Sequence, residues 1–222
     1  MLTVGLTGGS GSGKGEVCRI LEGLGIPCID TDRVYHDLLY PGSPCVKELV
    51  SRFGEGVLGA DGGIDRKALS VIVFGEDGRE SLKDLNRITH KYILEETCRV
   101  LAMFCESGYE MAVIDAPQLY ESGFDRHCDC VIAVIAEDDI RIRRITERDG
   151  IDRDSAEKRI RSQKSNSFFK SNADFIIYNN GSFDSLRRRV TEIAEMIGNG
   201  ELSEPEEDTE DGNIDYSSVY FQ

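Results

Sequence analysis

Residues Gly8-Gly9-Ser10-Gly11-Ser12-Gly13-Lys14-Gly15 contain the pattern G-x-x-x-x-G-K. Glycines at this density accept positive φ and put no Cβ in the way, so successive backbone N–H groups can turn toward one point. A lysine at the end of such a loop adds a mobile positive charge, and the whole suits the β- and γ-phosphates of a nucleoside triphosphate. By composition alone the stretch equally fits a Gly/Ser linker or a tight turn. Context decides between them: "LTVGLT" reads as a short buried strand and "EVCRILEGL", residues 16–24, as an amphipathic helix, so the loop joins strand to helix. One position departs from the pattern. Gly15 stands where a Ser or Thr hydroxyl ligates Mg²⁺; because Mg²⁺ keeps several waters and needs few protein ligands, weakened rather than lost metal binding is expected.

Three other groups of charged residues could take part in phosphate chemistry. Ile29-Asp30-Thr31-Asp32 places two carboxylates at the end of a predicted strand, "IPCID". A carboxylate there can orient an alcohol and take its proton, or Asp32 or Thr31 can cap the helix predicted over 31–39; the two roles are compatible. In "RIRRITERD", Arg141, Arg144 and Arg148 share one helical face at spacings of three and four. Such a face either stays solvated or closes over phosphates, where arginine stabilises the transferring group. Asp115 ends the apolar run "MAVID", as a second carboxylate for Mg²⁺ or as a turn residue in "DAP".

The elements that must position these groups alternate. Apolar runs at 2–7, 26–30, 111–115, 130–136 and 174–179 suit strands of a parallel sheet. Helical patterns cover 43–53, 68–74, 78–104 with a break possible inside it, a charged segment 138–165, and 183–197. The fold class read from this order is α/β, a five-stranded parallel sheet flanked by helices with a helical insertion in the middle third, and ligands gather at the carboxyl ends of its strands. Residues 1–200 form one domain on this reading. The acidic tail 201–222 has eight acids and no base, which leaves −7 of the net −15 for the rest, and is expected to be disordered.

An acidic chain is a poor candidate for nucleic acid, so an anionic ligand must meet local positive charge. No apolar run approaches the roughly 20 residues needed to cross a bilayer, and "MLTVGLTGG" lacks the features of a secretory signal. No membrane association and a cytoplasmic location are expected. The seven cysteines include no C-x-x-C, and Cys128 and Cys130 are expected simply to pack.

The series "VGLTGGSGSGK", "IPCIDTD", "PGSP", "IDRKAL", "ITHKYI", "APQLYESG", "RRITERDG" and "YNNG", spread over residues 2 to about 197, resembles the dephospho-CoA kinase family. The resemblance implies a P-loop kinase core, a helical region for the CoA substrate at about 34–108 and a helical lid at about 138–170. It implies ATP-dependent phosphorylation of the ribose 3′-hydroxyl of dephospho-CoA, the last step of CoA biosynthesis, with Mg²⁺. Carried over by motif, Asp32 is the base, with Lys14 and Arg144 the other catalytic groups. ATP binding falls to Gly9, Gly11, Ser12, Gly13, Lys14, Gly15 and Glu16, with Arg144, Asn180 and Gly181. Acceptor binding falls to Asp32, His90, Pro117, Leu119 and Glu121, and Asp115 is the metal candidate. Departures from the family pattern are Gly15 for Ser, Lys91 for Pro and Gln118 for Leu. Two rivals stay open at this level: another P-loop small-molecule or nucleoside kinase, and a nucleotide-binding regulatory protein whose turnover Gly15 has reduced.

Overall fold

The computed structural model describes residues 1–75 and 78–203. Strands β1 (Leu2–Thr7), β2 (Cys28–Asp30), β3 (Met111–Asp115), β4 (Cys130–Ile135) and β5 (Phe175–Tyr178) form one parallel sheet in the order β2-β3-β1-β4-β5. The chain moves outward to β2 on one side of β1 and returns to β4 on the other. The crevice this reversal opens lies at the carboxyl end of β1, where open α/β sheets bind ligands. Register brings the acidic strand ends together: Asp30 stands opposite Asp115, and Asp115 opposite Leu6.

Helices α1 (Lys14–Gly23), α2 (Thr31–Leu38), α3 (Pro44–Phe53), α4 (Arg66–Val73), α5 (Gly78–Glu106), α6 (Leu119–Ser122), α7 (Asp138–Asp149), α8 (Arg153–Arg161), α9 (Asn166–Asn172) and α10 (Phe183–Gly198) complete the described chain. On one face of the sheet Val17, Ile20 and Leu21 of α1 and Val190, Ile193 and Ile197 of α10 pack on Val4, Leu6, Val113 and Ile132. The other face buries Ile114 and Val131 against Ile93, Leu119 and Phe124. Since β3 and β4 are covered on both sides, their apolar runs are continuous rather than alternating.

The middle third is helical, as its patterning predicts. Its own small cores are built from Leu39, Cys45, Leu49 and Ile88, and from Val57, Leu69 and Val73. Caps start its helices: the Ser43 hydroxyl accepts from Val46 N with Pro44 at the first helical position, and the Asp65 carboxylate accepts from Lys67 N and Ala68 N.

Two boundaries differ from those read in the sequence. The break inside the long helix is absent; α5 runs unbroken. Lys91 supplies the backbone N–H that a proline would lack, and its ammonium pairs with Glu48 at 3.2 Å. The charged segment 138–165 is instead two helices, α7 and α8, followed by the start of α9. Gly150 ends α7 in the left-handed conformation, φ 65, and Asp152 caps α8 by accepting from Ser155 N. Of the tail expected to be disordered, 201–222, all but residues 201–203 lies outside the described residues.

Candidate active site

The loop after β1 ends in a helix start that no side chain caps, as at α6 and α7, whereas side chains cap α2, α3, α4, α8, α9 and α10. The first N–H groups of α1 therefore remain available, with the helix's positive end, to an anion. Gly13 makes this start possible. Its φ is 102, and a Cβ there would stand 2.0 Å from the Asn179 amide nitrogen.

Groups distant in sequence hold the loop in shape. Asn179, buried at the end of β5, donates to the Ser12 carbonyl at 2.8 Å. Arg144 on α7 donates to the carbonyls of Gly11 at 3.2 Å, Ser12 at 3.3 Å and Asn179 at 3.2 Å. Arg141, only 2% exposed, donates to the Ser10 carbonyl at 3.0 Å and pairs with Asp138. The Gln163 side chain accepts from Ser10 N and donates to Ser10 Oγ, both at 2.9 Å. The three arginines of the α7 face thus divide: Arg141 lies beneath the loop, Arg144 clamps it at the cavity wall, and Arg148 lines the cavity beside its partner Asp149. Gln163 was not among the residues singled out in the sequence. A lone Gln after a charged helix carries no motif, and its contact with Ser10 spans 153 positions.

Two cavities meet at Asp32 and Pro117. The first, about 460 Å³, is lined by loop residues Gly8, Gly9, Ser10, Gly11, Gly13, Lys14 and Gly15 with Arg144, Arg148 and Gln163. The second, about 480 Å³, opens between α2, α4 and α5 and is walled by Tyr35, Leu69, Val73, Leu85, His90, Ile93 and Phe124 among others. Of the two residues that line both cavities, Asp32 is the one able to take a proton from an alcohol in one while facing phosphates in the other.

The carboxylates have separate tasks. Asp30, not Asp32 or Thr31, caps α2: its Oδ1 accepts from Asp32 N at 2.9 Å and Arg33 N at 3.1 Å. The Thr31 hydroxyl donates to the Asp115 carbonyl. Among the described residues nothing donates to the Asp32 carboxylate. Its pKa is raised, by burial between the cavity walls first and by the Asp30 charge second, with Lys14 opposing and Asp115 adding to the rise. Asp115 is held on both oxygens, by the Lys14 ammonium on Oδ1 and by the Cys18 thiol on Oδ2 at 3.3 Å. A hard cation reaching this corner would find oxygen donors in Asp32 and Asp115, each Asp115 oxygen accepting one hydrogen bond and keeping a further lone pair. That is a donor set that fits Mg²⁺ carried on phosphates.

Other residues taken from the motifs stand elsewhere. Ser12 is buried under the loop. Glu16 pairs with Arg19 on α1. Asn180 accepts from Glu137 N at 2.9 Å and donates to its carboxylate, and neither Asn180 nor Gly181 lines the cavities. Leu119 is fully buried in the core against Gly5, and Glu121 points to solvent, so the segment "APQLYESG" reaches the second cavity through Ala116, Pro117, Gln118 and Ser122. The physical reason is the short helix α6, which turns the Leu119 side inward and the Glu121 side outward. His90 does line the second cavity, and burial lowers its pKa.

A parallel sheet in this order, with a glycine loop and lysine at its switch point and an uncapped helix behind them, defines a P-loop kinase fold. A sequence model described as dephospho-CoA kinase matches residues 2–185. The dephospho-CoA kinase of Corynebacterium efficiens is 40% identical over 198 residues, 89% of this chain and 98% of that one. Two solved structures share the fold. One, from Thermus thermophilus, has a TM-score of 0.75 at 27% identity, covering 88% of this chain and 97% of its own. The other, a dephospho-CoA kinase from Campylobacter jejuni, has a TM-score of 0.66 at 26% identity, covering 89% and 98%. The chain belongs to the dephospho-CoA kinase family.

Proposed function

We propose that this chain performs its family's reaction, transfer of the γ-phosphoryl group of ATP to the ribose 3′-hydroxyl of dephospho-CoA, giving CoA and ADP, across the junction of the two cavities. The observation that carries this reading is the place of Asp32, which faces the phosphate loop on one side and the second cavity on the other. ATP lies in the first cavity, its phosphates against the loop N–H groups, Lys14 and Arg144. The acceptor occupies the second, and Asp32 orients its hydroxyl and takes its proton as the bond to phosphorus forms. The segment 138–170 acts as a lid through Arg144 and Arg148, and the helices between 34 and 108 enclose the acceptor, with His90 and Pro117 in its wall. A scaffold that has lost turnover is disfavoured because base, lysine and arginine all reach the same space. The test is ADP formation dependent on dephospho-CoA, with the Lys14→Ala protein as the blank; equal ADP formation without the acceptor would mean a different reaction.

Asp115, and Asp32 beside it, are the residues that would hold a Mg²⁺ carried on ATP, and that ion would neutralise phosphate charge. Gly15 leaves the hydroxyl position empty, and nothing stands within 4 Å of a Cβ built there. Gly15→Ser therefore adds the missing oxygen without displacing a neighbour and relieves the helix start of a glycine, worth roughly 0.5–1 kcal/mol relative to Ala. The expected result is a lower Mg²⁺ concentration for half-maximal rate; an unchanged Mg²⁺ dependence would show that water already replaces the hydroxyl. Among the described residues no helix is long and apolar enough to cross a membrane. A cytoplasmic setting suits the cysteines, all of which are unpaired.

A further inference from the structure

The second cavity is short of positive charge. Its ionisable lining consists of Asp32, Tyr35, Arg66 and His90, and burial drives His90 toward the neutral form. Among the described residues Arg66 is the one permanent cation lining it. The acceptor assigned to this cavity carries a diphosphate on the 5′ carbon of the ribose whose 3′-hydroxyl must face Asp32. Two negative charges therefore have to be met close to the base, where the rest of the lining is apolar, as at Leu69, Val73, Phe74, Leu82 and Leu85, or neutral and polar, as at Ser70, Asn86 and Thr89.

Arg66 is placed for this. It opens α4, and its exposed side chain has no ion pair or hydrogen bond among the described residues. Arg52 and Arg87 pair with Asp84, Lys91 with Glu48 and Arg99 with Glu96, while Lys47, Lys67 and Arg79, like Arg66 without an ion pair among the described residues, do not line this cavity. Arg66 lines the same cavity as Asp32 and as Tyr35, one turn beyond Asp32 on α2. Burial raises the Tyr35 pKa, with the nearby Cys45 thiol adding to the rise, and the Arg66 charge opposes both.

We propose that Arg66 is the specificity residue for the acceptor, its guanidinium holding the 5′-diphosphate so that the ribose presents its 3′-hydroxyl to Asp32. A guanidinium matches two adjacent phosphate oxygens as a fork, which an ammonium cannot do. The assignment rests on the reading of this cavity as the acceptor site.

Steady-state kinetics on the full chain test it, with ATP and dephospho-CoA varied separately. Arg66→Met keeps most of the apolar stem and removes the charge. It should raise KM for dephospho-CoA about 10- to 100-fold, as expected for losing a hydrogen bond to a charged group, with KM for ATP unchanged. Arg66→Lys should recover part of the loss. Added salt should raise KM for dephospho-CoA steeply in the unsubstituted chain and only weakly in Arg66→Met, since a lost charge contact no longer responds to screening. A wild-type KM in Arg66→Met, an equal rise in KM for ATP, or identical salt dependence in the two proteins overturns the role of Arg66 while leaving the kinase reading standing. Absence of dephospho-CoA turnover by the unsubstituted chain overturns both.

Discussion

Asp32→Asn is expected to lower kcat by about 10²–10⁴, the range for removing a positioned general base, while KM for ATP stays near its starting value. The asparagine keeps the shape of the side chain and can still hydrogen-bond the acceptor hydroxyl, but it cannot take the proton. Loss should therefore fall on kcat and kcat/KM together, the pattern for an interaction made in the transition state. Stability provides the control. Asp30 caps α2 through Asp32 N and Arg33 N, so Asp32→Asn leaves the cap intact and the melting temperature should not move. Asp30→Ala, in contrast, should cost about 1 kcal/mol of stability. A kcat within a few-fold of the unsubstituted protein would remove Asp32 from proton transfer.

The same carboxylate sets the acid side of the pH profile. Burial and the Asp30 charge raise its pKa, and only the ionised form can accept a proton. The activity should therefore climb with pH along a limb placed above the ordinary aspartate range. Asp30→Asn removes the larger of the two carboxylate charges that add to burial in raising the Asp32 pKa, and keeps an N-cap of equal quality. Its limb should move to lower pH; a limb that stays in place belongs to another group.

Much of this site is written locally. The loop is legible because strand, glycines, lysine and helix follow one another within two dozen residues, and each has a period or a steric reason of its own. Asp32 is legible because a strand end and a helix start coincide there, although the sequence offers Asp32 or Thr31 as the cap and not Asp30. Asp30 becomes the cap through the strand register, which sets it beside Asp115 and turns its side chain onto the helix N–H groups. Contacts made at long range are the illegible part. Gln163 and Asn179 reach Ser10 and Ser12 across more than 150 residues, and nothing near either residue announces it. Leu119 and Glu121 fail for a related reason: a motif names a segment, but the turn of α6 decides which of its side chains face the cavity.

Arg144→Ala is expected to lower kcat by about 10³, at the lower end of the range for an arginine that stabilises a transferring phosphoryl group. The guanidinium lines the nucleotide cavity while donating to carbonyls of Gly11, Ser12 and Asn179 at 3.2 to 3.3 Å. Two roles are thus superimposed, one on the loop and one on the phosphates. If Arg144 only shaped the loop, its loss would weaken ATP in ground state and transition state alike, raising KM for ATP with kcat preserved. If it meets charge that develops on the phosphoryl group, kcat falls. Arg141→Met supplies the comparison, because Arg141 also donates to the loop, at Ser10, but is buried beneath it and absent from the cavity lining. That variant should raise KM for ATP with a much smaller change in kcat. Arg144→Lys should recover little, since one ammonium cannot reproduce a planar fork that serves the loop and the phosphates together. Equal kinetic signatures for Arg144→Ala and Arg141→Met would reduce Arg144 to a clamp and leave Lys14, Arg148 and the loop N–H groups as the cationic and dipolar support for the transferring group.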